Sequence, residues 1–152
     1  MMVRDSTHAE SPLTFERYYP GYTLPILECA SGKAYLAFVN QAEREAVIDA
    51  LTNYQGVDSV SLQLARSGRL FDDVRKQGYA FHGRQKHNAT PGKTSGIAVP
   101  VMIDGRAVGA LALIYFTTSM GVEEVVQRFL QDMLATAHEL ARELASLEGA
   151  AA

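Results

Sequence analysis

A chain of 152 residues, 47% hydrophobic and 20% charged, has the size and composition of one compact domain able to bury roughly 70% of the surface its unfolded form exposes. Fourteen Lys and Arg against seventeen Asp and Glu leave a net charge of −3 with no basic stripe, which argues against nucleic-acid binding by this segment itself. One cysteine, Cys29, excludes an internal disulfide and a cysteine-rich zinc site; with no apolar run long enough for a membrane span or a signal peptide, a soluble cytoplasmic protein that makes no membrane contact is expected.

In chain order, Met1–Arg4 reads as a strand entered midway, and Thr14–Tyr19 as a second strand across a hairpin loop, ended by Pro20 and Gly21. The segment Leu24-Pro25-Ile26-Leu27-Glu28-Cys29-Ala30-Ser31-Gly32-Lys33 then runs from an extended stretch into three small residues and an apolar helix reaching Phe38. Small residues at a helix start leave its first N–H groups uncovered at the positive end of the helix dipole, which suits a carboxylate or a phosphate. The other reading is an ordinary tight strand-to-helix turn.

Asn40 is a good N-cap with Glu43 as its capping-box partner; Val47, Leu51 and Tyr54 follow at helical spacing, and Gly56 stops that helix. A third helix is predicted over Ser61–Gln77, closed by Gly78 in a left-handed cap. Tyr79–Phe81 is short and extended, and His82–Lys93 polar and irregular. Two strong strands, Gly96–Ile103 and Arg106–Phe116, flank Asp104-Gly105, a strong hairpin signal. Gly109, Ala110 and Ala112 leave room above the second of them, for a ligand or for close helix packing; pattern alone leans to packing. The last helix, Val122 to Leu147, carries a wide apolar face that covers the sheet and has the breadth to serve a subunit contact too. The order β-β-α-α-α-β-β-β-α implies an α+β fold with a largely antiparallel central sheet flanked by helices.

These pieces together resemble the effector-binding domain of the IclR family of bacterial transcription regulators. The matching segments are Ala30-Ser31-Gly32-Lys33-Ala34-Tyr35-Leu36-Ala37-Phe38, Val74-Arg75-Lys76-Gln77-Gly78-Tyr79 and Ile97-Ala98-Val99-Pro100-Val101, in order and over nearly all of the chain. Met2–His8 and Thr117-Thr118-Ser119-Met120, with Glu123-Glu124, resemble the MhpR-like subgroup, which is tied to aromatic catabolism. The resemblance implies a GAF-like, profilin-like fold over residues 1–152 as one domain, a small organic acid as effector, no cofactor, and homodimers or homotetramers that bind operator DNA. It implies that the backbone of Ala30 and Ser31 seats the effector carboxylate, in the turn that Gly32 completes, with Gly96, Ala112 and Ile114 lining the pocket and His82 or Arg84 near a polar position of it. The family's winged helix-turn-helix DNA-binding domain, and the first helix and strand of its effector domain, are not matched in this chain. Ala112 and Ile114 stand where some members are polar, which points toward an aromatic or aliphatic acid.

Catalysis is not expected. Cys29 has no visible base or second cysteine as partner, and His8, His82, His87 and His138 are too scattered for a metal site. Arg84 and Lys93 are cations able to close over an anion, although solvated loop charges are the commoner case. Tyr18, Tyr35, Phe38 and Tyr115 are candidates for an aromatic wall, or simply for the core. The alternatives to a sensor are an enzyme on a GAF-like scaffold and a stand-alone small-molecule or nucleotide-binding module.

Overall fold

Two long strands and the tight turn between them organise the molecule. The computed structural model describes residues 1–10, 18–54, 59–82 and 93–150, with side chains as far as 147. Strand β2 (Thr94–Ile103) pairs antiparallel with β3 (Arg106–Phe116), and the short β1 (Ala80–His82) pairs antiparallel with β2 on its other side, giving a sheet of order β1-β2-β3. Asp104 and Gly105 both take positive φ, 49° and 77°, as a two-residue hairpin turn that follows strand twist requires. The register shifts between Val101 and Met102, where Val108 is the extra residue on β3.

Alternation sorts the strand residues into two cores. Ile97, Val99, Val101, Leu111, Leu113 and Tyr115 face the long C-terminal helix α5 (Val122–Ala150), packing against Val125, Met133, Ala137 and Ala141. The opposite face carries Ala80, Ala98 and Ala107 and is covered by α1 (Ala30–Phe38). Small residues on both partners let that helix approach the sheet closely: Ala34 and Ala98 are fully buried, and so is Leu36, whose burial is worth about 1.5–3 kcal/mol. Helices α2 (Gln41–Thr52), α3 (Ser59–Arg66) and α4 (Arg69–Gln77) complete this layer, with Phe71 of α4 buried in the same core.

The expected α+β class with an antiparallel sheet is the observed one. Asn40 caps α2, its Oδ1 accepting the Glu43 N–H at 2.8 Å, and Gly78 closes α4 at φ 80°. Other expectations need correction. The predicted third helix is two, α3 and α4, because Gly68 turns to φ 78° between them. Residues 1–3 run beside Tyr22–Leu24, with Met2 bridged to Thr23, rather than beside Thr14–Tyr19; a 3-10 turn, Thr7–Glu10, follows. Four of the residues of that expected second strand, 14–17, lie outside the described residues, as does Gly56; Tyr18 and Tyr19 are not in a strand.

Candidate functional site

The start of α1 is built by a turn over Pro25, whose carbonyl accepts the N–H of Glu28 and of Cys29, both at 3.1 Å. Cys29 takes the N-cap position, and its Sγ accepts the Gly32 N–H at 3.3 Å and the Ser31 hydroxyl at 3.4 Å. Sulfur is a weak acceptor and cysteine an uncommon N-cap. This corrects the expectation for Gly32: its amide is occupied by the protein's own thiol. The need for glycine there is steric, because a Cβ would lie 1.9 Å from the Ile26 carbonyl oxygen. Among the described residues, no side chain caps the amides of Ala30 and Ser31.

Across from this helix start, the sheet presents two rows on its α1 face. His82, Gly96 and Ile114 are aligned across the three strands, and Ala80, Ala98 and Ala112 form the next row. Gly96 and His82 are buried, Ile114 is half-buried and Ala112 is exposed, so the α1 face is open toward the β3 edge. The expected positions His82, Gly96, Ala112 and Ile114 therefore share one face, and that face is the one α1 covers.

Lys33, one turn into α1, adds a cation that the sequence reading passed over. Burial pushes its ammonium pKa below the ordinary lysine value, against a weaker upward pull from Cys29 and Glu28. The same ammonium acts on His82, whose imidazole is pushed below its ordinary pKa mainly by burial and further by Lys33. Tyr18 belongs to this end as well: burial raises its hydroxyl pKa, with smaller contributions from Tyr22 and Cys29, and its ring meets that of Tyr22 edge-on at 6.2 Å. Two backbone amides at a helix start, with one ammonium in the same first turn, form an arrangement suited to an organic anion. Among the described residues, no group of three His, Cys, Asp or Glu is placed to hold a metal ion.

Tyr35 does not join this group. Its hydroxyl donates to the Glu43 carboxylate and feels Arg106, at the hairpin end of the sheet, and burial with that hydrogen bond pushes its pKa up to about 12. Tyr115 lies in the α5 core, on the other face, and Phe38 packs at the rim of the α1 core. Arg84 lies outside the described residues. A cleft of about 230 Å³ opens on the α5 side between Phe81, Ser95, Tyr115, Met120 and Val122. Of the candidate residues it contains Tyr115 alone, and among the described residues that line it none is charged, so an acid finds no counter-ion there.

A family model for the C-terminal domain of the bacterial transcriptional regulator IclR matches residues 8–142. Among solved structures, the chain is similar to the Thermotoga maritima IclR at 21% identity and a TM-score of 0.63, covering 82% of this chain and 49% of that one. It is similar to the Agobacterium tumefaciens repressor BlcR at 18% identity and a TM-score of 0.63, covering 87% and 52% respectively. It also resembles the inducer-binding domain of the Acinetobacter transcription factor PobR, a double mutant in complex with 3-hydroxybenzoic acid, at 22% identity and a TM-score of 0.60, covering 82% and 69%. At these identities the likeness concerns the fold. The chain spans about half the length of the two whole regulators.

Proposed function

The chain belongs to the family of bacterial transcriptional regulator IclR C-terminal domains, and on that footing we propose that it senses a small organic acid for a cytoplasmic regulator of catabolic genes. The carboxylate sits at the start of α1, on the amides of Ala30 and Ser31, with Lys33 as counter-ion. Its organic body lies over the open β3 edge of that face, at Ala112 and Ile114. The observation that carries this reading is a helix start whose Ala30 and Ser31 amides are capped by no described side chain, on a helix lying over a sheet face left open at Ala112. An apolar wall at Ala112 and Ile114 favours an aromatic acid over a very small one, in keeping with the MhpR-like subgroup.

Operator DNA is contacted through a winged helix-turn-helix of the kind the family carries, since a net charge of −3 gives this segment no overall attraction for phosphates. The effector acts by binding one conformation better than another, and so changes how paired DNA-binding domains are held. Pairing as a homodimer or homotetramer draws on the end of α5, where Leu140 and Leu144 are 38% and 37% exposed and Leu147 is 67% exposed. A thermal-shift and calorimetric screen of benzoates, phenylpropionates, aliphatic acids and cyclic nucleotides tests the reading. Aromatic acids are expected to stabilise the protein in proportion to ln(1 + [L]/Kd), and Lys33→Met to weaken binding about tenfold or more. Stabilisation by nucleotides alone would sink the acid-sensor reading.

A further inference from the structure

The apolar cleft on the α5 side lies where the start of that helix meets the ends of the three strands away from the hairpin. Strand register sets Phe81 opposite Ile97 and Ser95 opposite Tyr115 on this face. The turn ahead of α5 makes the other wall, with the N–H groups of Ser119 and Met120 bonded to the Phe116 carbonyl at 3.0 and 3.3 Å. Gly121 puts no side chain into the gap, and a Cβ there would meet nothing within 4 Å. Phe81 is left 46% exposed, whereas Tyr115 lines the cleft and is only 5% exposed. Among the described residues, the Tyr115 hydroxyl has no hydrogen-bond partner, although a buried tyrosine hydroxyl ordinarily finds one. Its neighbours are committed: the Ser95 hydroxyl donates to the His82 carbonyl, and that of Thr117 to the Lys93 carbonyl.

We propose that this cleft binds an uncharged single-ring molecule bearing one hydroxyl, of the phenol or benzyl alcohol kind, whose oxygen accepts the Tyr115 O–H. The site is separate from the acid seat at α1 and does not rest on it. Size sets the ring count. The cleft holds about 230 Å³, and an apolar cavity of about 150 Å³ already takes one benzene ring. Charge sets the class. Among the described residues that line the cleft none is charged, so a carboxylate or an ammonium would shed water there without a counter-ion. Glu123 and Glu124, in the first turn of α5, answer the positive end of that helix themselves and repel an anion. Phe81 and Met120 supply aromatic and thioether surface for the ring, and covering Phe81 takes an exposed apolar face out of water.

Titration of isotopically labelled protein with phenol, toluene and benzoate, followed by NMR chemical shifts, tests the assignment. Phenol is expected to move the signals of Phe81, Ser95, Tyr115 and Met120, with a Kd on the order of 1 mM or tighter for so small a ligand. Tyr115→Phe keeps the ring in the core and removes only the hydroxyl. It is expected to weaken phenol about three- to tenfold, the size of one neutral hydrogen bond, and to leave toluene within about twofold. Phe81→Ala, at an exposed position on β1, is expected to weaken phenol and toluene alike by about threefold or more. Benzoate is expected to leave those four signals in place, wherever else it binds. The assignment is overturned if phenol leaves them unmoved up to tens of millimolar, or if benzoate moves them at the same concentrations as phenol. Equal losses of phenol and toluene in Tyr115→Phe, or unchanged phenol affinity in Phe81→Ala, would overturn it too. None of these outcomes bears on the acid reading, which stands or falls on benzoate at the start of α1.

Discussion

Gly32 illustrates how one residue can fill a motif for a reason the motif does not reveal. In sequence it is the last of three small residues opening a helix, apparently there to bare an amide. In the fold its amide is held by Cys29 Sγ, and its missing side chain lets the Ile26 carbonyl pass. Gly32→Ala would place a methyl carbon 1.9 Å from the Ile26 backbone oxygen and 2.7 Å from its carbonyl carbon. It is expected to cost about 3 kcal/mol or more in urea denaturation. A loss below about 1 kcal/mol would show that the Pro25–Glu28 turn yields freely. Lys33, its neighbour, was legible as a charge but not as a site residue. Nothing local reports that the fold withdraws this ammonium partly from water at the start of α1.

At the scale of elements, α1 is held at both ends by different means. Its N-terminus leans on a cysteine cap, while its last carbonyls are bonded by guanidinium groups from two other helices. Arg75 of α4 donates Nε–H to the Ala37 carbonyl at 2.7 Å, and Arg44 of α2 donates to Leu36 and Val39 at 3.4 and 3.3 Å, lying over the Phe71 ring. Cations at the negative end of a helix dipole are favourable there, although the two guanidiniums also repel each other and Arg44 is held below its ordinary pKa, first by burial and then by Arg75. Arg75→Ala is therefore expected to lose about 1 kcal/mol in thermal or urea unfolding, a modest figure because the side chain is partly exposed and its departure relieves that repulsion. No measurable loss would mean that water replaces the guanidinium at Ala37 without cost. The cap of α2 at Asn40 and the turn at Asp104-Gly105 were readable in advance because each is a local interaction within four residues. The division of α3 from α4 was not, since Leu64 and Phe71 keep helical spacing through the glycine that breaks the backbone.

Across the whole molecule, the sheet separates two tasks. Its α1 face gathers amides, Lys33, His82 and the small-residue rows; its α5 face is an apolar core whose helix carries exposed leucines at its far end. Sites on opposite faces with no shared partner are expected to act independently. Leu144→Glu should thus lower self-association, measured by sedimentation, and leave acid affinity within about twofold of the unaltered chain. A concurrent loss of acid binding would show that the faces are coupled, or that the α5 end contributes to the ligand site.

What the sequence determined by itself was what short-range chemistry can specify: the hairpin, the caps and the helix over the sheet. The family motifs extended that reading to an IclR-type effector-binding domain. Tertiary structure alone decided which amides remain open, that Tyr35 turns to Glu43, and that the Lys33 ammonium is partly withdrawn from water. Those outcomes depend on contacts between segments far apart in the chain, where the burial of a charge or the approach of a carbonyl is set by packing and has no local signature.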